Sequence, residues 1–162
     1  MTVEVEAPPG SQVIHSRWLG TIEYESRAEL SFPSGIPGFE EERRMLPIEI
    51  PAQRPLVYLQ SLSRPEICFA SLPVFVIDSG FRLTLSEEER LTLDLAEDCV
   101  PVIGSDVLCL ALLMSDGDAV RTNLGAPVIV NLHNSRAVQC MPARNGEAFY
   151  RLEKTGRWER LC

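Results

Sequence analysis

The side chains in this sequence best suited to acid–base chemistry are its carboxylates, and they come in runs. Glu40-Glu41-Glu42 and Glu87-Glu88-Glu89 are triplets, and Asp94, Glu97 and Asp98 form a looser group. Two acids can divide acid and base work only when their surroundings push their pKa values apart. Neighbours on one loop share a solvated environment, so these runs are expected to be surface. The chain has no phosphate-binding glycine loop and no dinucleotide fingerprint. It also lacks a Gly-x-Ser-x-Gly nucleophile turn. Its two histidines, His15 and His133, have no ligand cluster around them in the sequence, which argues against a metal site. The five cysteines (Cys68, Cys99, Cys109, Cys140 and Cys162) are odd in number and contain no C-x-x-C pair. They are expected to be free thiols, with Cys68, Cys109 and Cys140 buried in apolar runs and Cys162 exposed. The expectation is a protein with no catalytic residue, no metal and no cofactor.

The stretch from Glu87 to Asp98 holds six acids against the single base Arg90. Such a stretch serves solubility, or steers a basic partner toward the surface. The formal net charge of −8 points the same way. It disfavours direct nucleic-acid binding, which depends on clustered Lys and Arg.

The elements that must position these residues are short. Residues 1–12 are polar with Pro8-Pro9-Gly10, and are expected to be a mobile tail. They resemble no secretion signal, and no window approaches the ~18 apolar residues of a membrane span. A cytoplasmic location is expected. Beyond the tail, extended runs alternate with turns. Thr21 to Glu25 places Ile22 and Tyr24 on one face, with Glu23 and Glu25 on the other. Met45 to Ile50 reads as an edge strand because Pro47 cannot donate to a ladder. Leu56 to Leu62, Ile67 to Ile77 (broken at Pro73), Val107 to Met114, Val120 to Asn123, Val128 to His133, Ala137 to Met141 and Ala148 to Leu152 follow. Asn134-Ser135 and Asn145-Gly146 are hairpin signals. Ser86 with Glu89 forms a capping-box pattern, so a helix starts there. Leu91, Leu93 and Leu95 then recur at strand period, which keeps the helix short. Many short strands in 162 residues indicate one all-β domain. The expected form is a small antiparallel β-barrel over 13–155, monomeric, with one or two short helices and a 156–162 tail.

Two turn motifs are sharper than the rest. In Gly35-Ile36-Pro37-Gly38-Phe39, Pro37 sets one φ and Gly38 permits the positive φ of a type II turn. In Thr122-Asn123-Leu124-Gly125-Ala126-Pro127, the Asn123 side chain can hold a bend. Pro127 then opens a strand at the one position that tolerates it. Gly35, Pro37, Gly38, Phe39, Asn123 and Pro127 are therefore expected to be architectural.

In this order and spacing the motifs resemble the FliW family of flagellar assembly factors. Phe32-Pro33-Ser34-Gly35-Ile36-Pro37-Gly38-Phe39 is similar to the family's Phe-x-x-Gly-Ile-Pro-Gly-Phe. Tyr58-Leu59-Gln60-Ser61, Cys68-Phe69-Ala70, Asn123-Leu124-Gly125-Ala126-Pro127-Val128-Ile129-Val130-Asn131 and Gln139 match later landmarks. The resemblance implies a β-barrel that binds newly made flagellin and captures the translational repressor CsrA once flagellin has left. Arg121, Ser71-Leu72-Pro73 and Phe81-Arg82 depart from the family pattern. Arg82 puts a positive charge where many members carry an acid, which opposes a basic RNA-binding partner. Candidate partner-binding residues are Tyr58, Gln60, Phe69, Phe81, Arg82, Glu87 and Glu88. Two alternatives stand beside this reading. One is a barrel that encloses a small molecule or catalyses an unrecognised reaction; the other is a diverged paralogue that binds a different protein.

Overall fold

The computed structural model describes residues 11–141 and 146–161. Among these, twelve strands and two short helices follow in order. The strands are β1 (Ser11–Ser16), β2 (Gly20–Glu25), β3 (Leu30–Ser31), β4 (Arg44–Ile48), β5 (Val57–Ser61), β6 (Cys68–Pro73), β7 (Val107–Asp116), β8 (Ala119–Asn123), β9 (Val128–Asn131), β10 (Ala137–Gln139), β11 (Phe149–Leu152) and β12 (Trp158–Arg160). Helix α1 is Val74–Ile77 and helix α2 is Glu87–Leu93. The all-β class with short helices is as expected. Hairpin β1–β2 stands as its own sheet, and the remaining strands form the order β12-β11-β8-β7-β6-β5-β4-β3, with β9 joining β7 to β10.

The ladder does not close into the expected barrel. Strands β3 and β10 meet only through one isolated bridge, Ser31 to Arg136, where the Ser31 N–H donates to the Ser135 carbonyl at 2.9 Å. Strand β3 ends at Ser31 and the chain turns away through residues 32–35. The next N–H on that side of β3 would come from position 33, which is proline and has none. The edge expected at Pro47 is half met. Strand β4 pairs β5 from Met45 to Ile48 but pairs β3 only at Arg44 and Met45. Pro47 thus sits where the β3 side is already unpaired.

Strand β7 serves three partners in succession: β9 through Val107–Leu110, β6 through Leu110–Leu112, and β8 from Leu113 to Asp116. Its side chains alternate between two cores. Leu110 joins Phe32, Met45, Leu59 and Val128, while Val107, Cys109 and Ala111 join Leu93, Leu124, Ile129 and Tyr150. Strand β9 alternates in the same way. Both faces of these strands are buried, which is why they read as unbroken apolar runs.

Helix α2 begins as expected. The Ser86 hydroxyl accepts the Glu89 N–H at 3.0 Å, and the Glu89 carboxylate accepts the Ser86 N–H at 2.8 Å. It ends at Asp94 in the left-handed region. Leu93 is fully buried and Leu91 points outward, so these two leucines follow the helix, while Leu95 lies beyond its cap.

Three expectations need correction. The acidic triplets are not wholly surface. Glu42 is buried and accepts from the Ser61 and Ser63 hydroxyls; Glu89 is buried and also accepts the Met141 N–H. A buried carboxylate persists only where donors replace water, and each triplet supplies one such residue. The expected termini also differ. Strand β1 starts at Ser11, held by its pairing with β2 as far as Glu25. Strand β12 lies within the 156–162 segment and pairs β11. Residues 1–10, Asn145 of the second hairpin signal, and Cys162 lie outside the described residues. The Asn134-Ser135 turn does join β9 to β10, with Ser135 at φ 61°.

Burial sets the thiol chemistry. It pushes the Cys109 thiol up to about 12 and the Cys140 thiol still higher, with help from the Glu89 carboxylate. Cys99 is exposed. Only a thiolate alkylates readily. Native protein treated with iodoacetamide at pH 8 should therefore be modified at Cys99 before Cys68, Cys109 or Cys140. Cys109, with roughly a thousandfold less thiolate than an unshifted thiol, should react only on unfolding. Peptide mapping by mass spectrometry checks this, and early modification of Cys109 would contradict it.

Candidate functional site

Pro37 and Gly38 make the central pair of a tight turn from Ile36 to Phe39. The Phe39 N–H donates to the Ile36 carbonyl at 2.6 Å, and Gly38 has φ +85°. That is the type II geometry expected from Pro-Gly. Gly35, at φ +69°, precedes it. The turn is the wall between two surface clefts, because Pro37 and Gln139 line both.

The first cleft, about 350 Å³, is apolar. Ile36, Phe39, Phe69, Leu112, Met114 and Phe149 line it, among others. The Phe39 and Phe69 rings meet edge to face, with centroids 5.2 Å apart and planes at 80°. Such pairs add about 0.5–1.5 kcal/mol beyond their burial. Phe39 and Met114 remain largely exposed. Asn123 closes one end; its side-chain oxygen accepts the Gly125 N–H at 2.8 Å and the Ala148 N–H at 3.1 Å. Gly125 itself leaves no room for a side chain, since a Cβ there would lie 1.8 Å from the Gly146 carbonyl oxygen. Pro127 is buried ahead of β9, and its carbonyl accepts the Cys140 N–H at 2.9 Å.

The second cleft, of similar size, is more polar. Ser34, Gly35 and Glu40 form one side; Ser86, Glu88, Glu89 and Thr92 form the other; Val138 and Met141 also line it. Backbone N–H groups of Glu40 itself and of Gly38 hold the Glu40 carboxyl below the usual carboxylate range.

The sequence-selected residues scatter over this frame. Phe69 lies in the apolar cleft. Tyr58 is half-buried on β5 and donates its hydroxyl to Gln53. Phe81 is half-buried against the second core. Arg82 is exposed in a third cleft, with Asp78, Tyr150 and Arg160, apart from the one that holds Glu88. Glu87 and Glu88 are exposed on α2. Arg90 is spent on the loop after the helix, donating to the Cys99 carbonyl at 2.9 Å. Gln60 is a correction: it is fully buried. Its Oε1 accepts the Ser16 hydroxyl at 2.6 Å, and its Nε2 donates to the Ser61 carbonyl at 3.0 Å. It ties β1 to the loop after β5 and cannot meet a partner. Leu112, Met114 and Phe149 were missed by the sequence reading. Period-two alternation along β7 and β11 was the available signal, and the double burial of β7 hid it.

Among the described residues, no group of three His, Cys, Asp or Glu side chains stands close enough to hold a metal. No helix among them is long and apolar enough to cross a membrane.

An all-β domain of one large open antiparallel sheet and a separate β1–β2 hairpin, with paired clefts divided by a Pro-Gly turn, is the class defined here. The model of the FliW protein family matches residues 13–150, and the chain belongs to that family. Flagellar assembly factor FliW of Clostridium botulinum (strain Alaska E43 / Type E3) is 31% identical over 122 residues, covering 74% of this chain and 82% of that protein. The protein of the same description from Caldicellulosiruptor saccharolyticus is 30% identical over 129 residues, covering 78% and 80%. A crystal structure of the flagellar assembly factor FliW shares the fold at a TM-score of 0.72 and 24% identity, over 84% of this chain and 92% of that one.

Proposed function

We propose that this protein is a non-catalytic, monomeric, cytoplasmic flagellar assembly factor that binds flagellin and antagonises the translational regulator CsrA, coupling flagellin synthesis to export. Family membership supports the flagellar role. The observation that carries the binding reading is the apolar cleft at Phe39 and Phe69. A concave surface lined by aromatic and aliphatic side chains beside a polar rim has the anatomy of a recognition site. Phe69 is also one of the candidate partner-binding residues picked out in the sequence. Isothermal titration against the cognate flagellin should give saturable heat, and Phe69→Ala should weaken binding by about tenfold or more, as for an aromatic anchor. Absence of heat and of co-elution at tens of micromolar would remove the reading.

For CsrA the supporting feature is charge. Glu87, Glu88, Asp94, Glu97 and Asp98 are exposed on and after α2, while Glu89 faces inward. CsrA must be basic where it holds RNA, so attraction should fall as salt shortens the screening length from ~10 Å at 0.1 M to ~3 Å at 1 M. Arg82→Glu replaces a repulsive charge with an attractive one. Exposed pairs contribute ~0.2–1 kcal/mol each, so CsrA affinity is expected to rise about two- to tenfold at low salt and less at high salt. Unchanged affinity would place the CsrA contact elsewhere.

A further inference from the structure

Arg121 is not itself part of the apolar cleft's lining but adjoins two residues that are, Met114 and Phe149. It lies opposite Met114 in the β7–β8 register and opposite Arg151 in the β8–β11 register. Met114 and Phe149 line the cleft, and the Arg121 guanidinium carbon is 5.1 Å from the centroid of the Phe149 ring. Stacking on an aromatic face orients the guanidinium while leaving its in-plane donors unspent. Those donors are poorly answered. Nη1 is 3.6 Å from the Asp116 carboxylate, too long for a good hydrogen bond. Nε is buried without a hydrogen-bond partner among the described residues. The side chain is still 34% exposed, so its outer fork can be reached. Arg151 has two acids around it, with the Glu153 carboxylate 3.8 Å away and Glu159 opposite it on β12.

We propose that the cleft takes a protein segment pairing apolar side chains with one carboxylate, and that Arg121 is the residue that selects the carboxylate. The apolar lining desolvates the hydrocarbon part. The guanidinium fork matches a carboxylate bidentately, and a carboxylate there also relieves the juxtaposition of Arg121 with Arg151. The chain's net charge of −8 repels acidic segments at long range. Selection must therefore come from this short-range contact. Only the identity of the segment's owner as flagellin rests on the function proposed above.

Two synthetic helical peptides test this. Both carry leucines at three- and four-residue spacing; one ends in glutamate and the other in glutamine at the same position. Each is titrated into wild type, Arg121→Gln and Arg121→Lys, followed by amide shifts, and purified flagellin is titrated into the same three proteins. Wild type should prefer the glutamate peptide by about three- to tenfold, the range for a partly exposed charge-assisted pair. Arg121→Gln should abolish the preference, and Arg121→Lys should keep only part of it, because a point charge lacks the fork. Equal affinity of wild type for both peptides, binding of neither, or a preference that survives Arg121→Gln would overturn the proposal. The wild-type comparison needs no variant to fold. If flagellin fails to bind while the peptide preference holds, the flagellin reading falls and this one stands. If flagellin binds without any peptide preference, the reverse is true.

Discussion

Gly35→Ala is expected to lower the unfolding free energy by about 2–4 kcal/mol. Two independent costs add. At φ +69° an L-residue with a Cβ is disfavoured by roughly 1–2 kcal/mol. The new methyl would also lie 2.4 Å from the Glu40 carbonyl oxygen, with the Glu40 carbonyl carbon and Cα at 2.6 Å. These are backbone atoms and cannot rotate aside, and forced overpacking costs about 1–3 kcal/mol. Gly38→Ala is the internal control. Gly38 has φ +85° but nothing within 4 Å of a Cβ, so only the conformational cost applies there. Urea unfolding of both variants separates the two contributions. If Gly35→Ala is no more destabilising than Gly38→Ala, the steric half of the argument is wrong. Any Gly35→Ala protein that folds should also bind flagellin less well, because the displaced turn is the wall of the apolar cleft.

Gln60→Ala is expected to cost about 2–4 kcal/mol of stability yet leave flagellin affinity within about twofold. The side chain is fully buried. Truncation leaves the Ser16 hydroxyl and the Ser61 carbonyl without their partner. The Arg64 and Pro65 carbonyls, 3.4 and 3.3 Å from Nε2, lose it as well. Each stranded buried group costs ~1–3 kcal/mol, moderated where the loop relaxes toward water. Chemical unfolding gives the stability, and titration of folded variant with flagellin gives the affinity. A variant as stable as wild type but defective in binding would return Gln60 to the partner surface.

Local features were legible in the residues themselves. Pro37-Gly38, the Ser86 and Glu89 capping box, and the Asn134-Ser135 turn each depend on φ preferences or on hydrogen bonds within a few residues. Sequence order carries all of that information. The alternating and unbroken apolar runs likewise settled the all-β class. Other features could not be read this way. Glu42 and Glu89 look like their solvated neighbours; Glu42 is held by Ser61, 19 residues away, and Glu89 adds the Met141 N–H, 52 residues away, to its local capping bond with Ser86. Gln60 reads as a surface landmark until Ser16, 44 residues distant, closes over it. The sheet nearly closes through the Ser31–Arg136 bridge, and Pro33, two residues on, has no N–H to extend it; that meeting exists only in three dimensions. The apolar cleft draws Phe39, Phe69, Met114 and Phe149 from four separate segments. Sequence determined the turns and the strand class because those are local preferences. Tertiary structure decided which acids are buried and which aromatics share a cleft, because burial and contact are properties of pairs that the chain brings together only on folding.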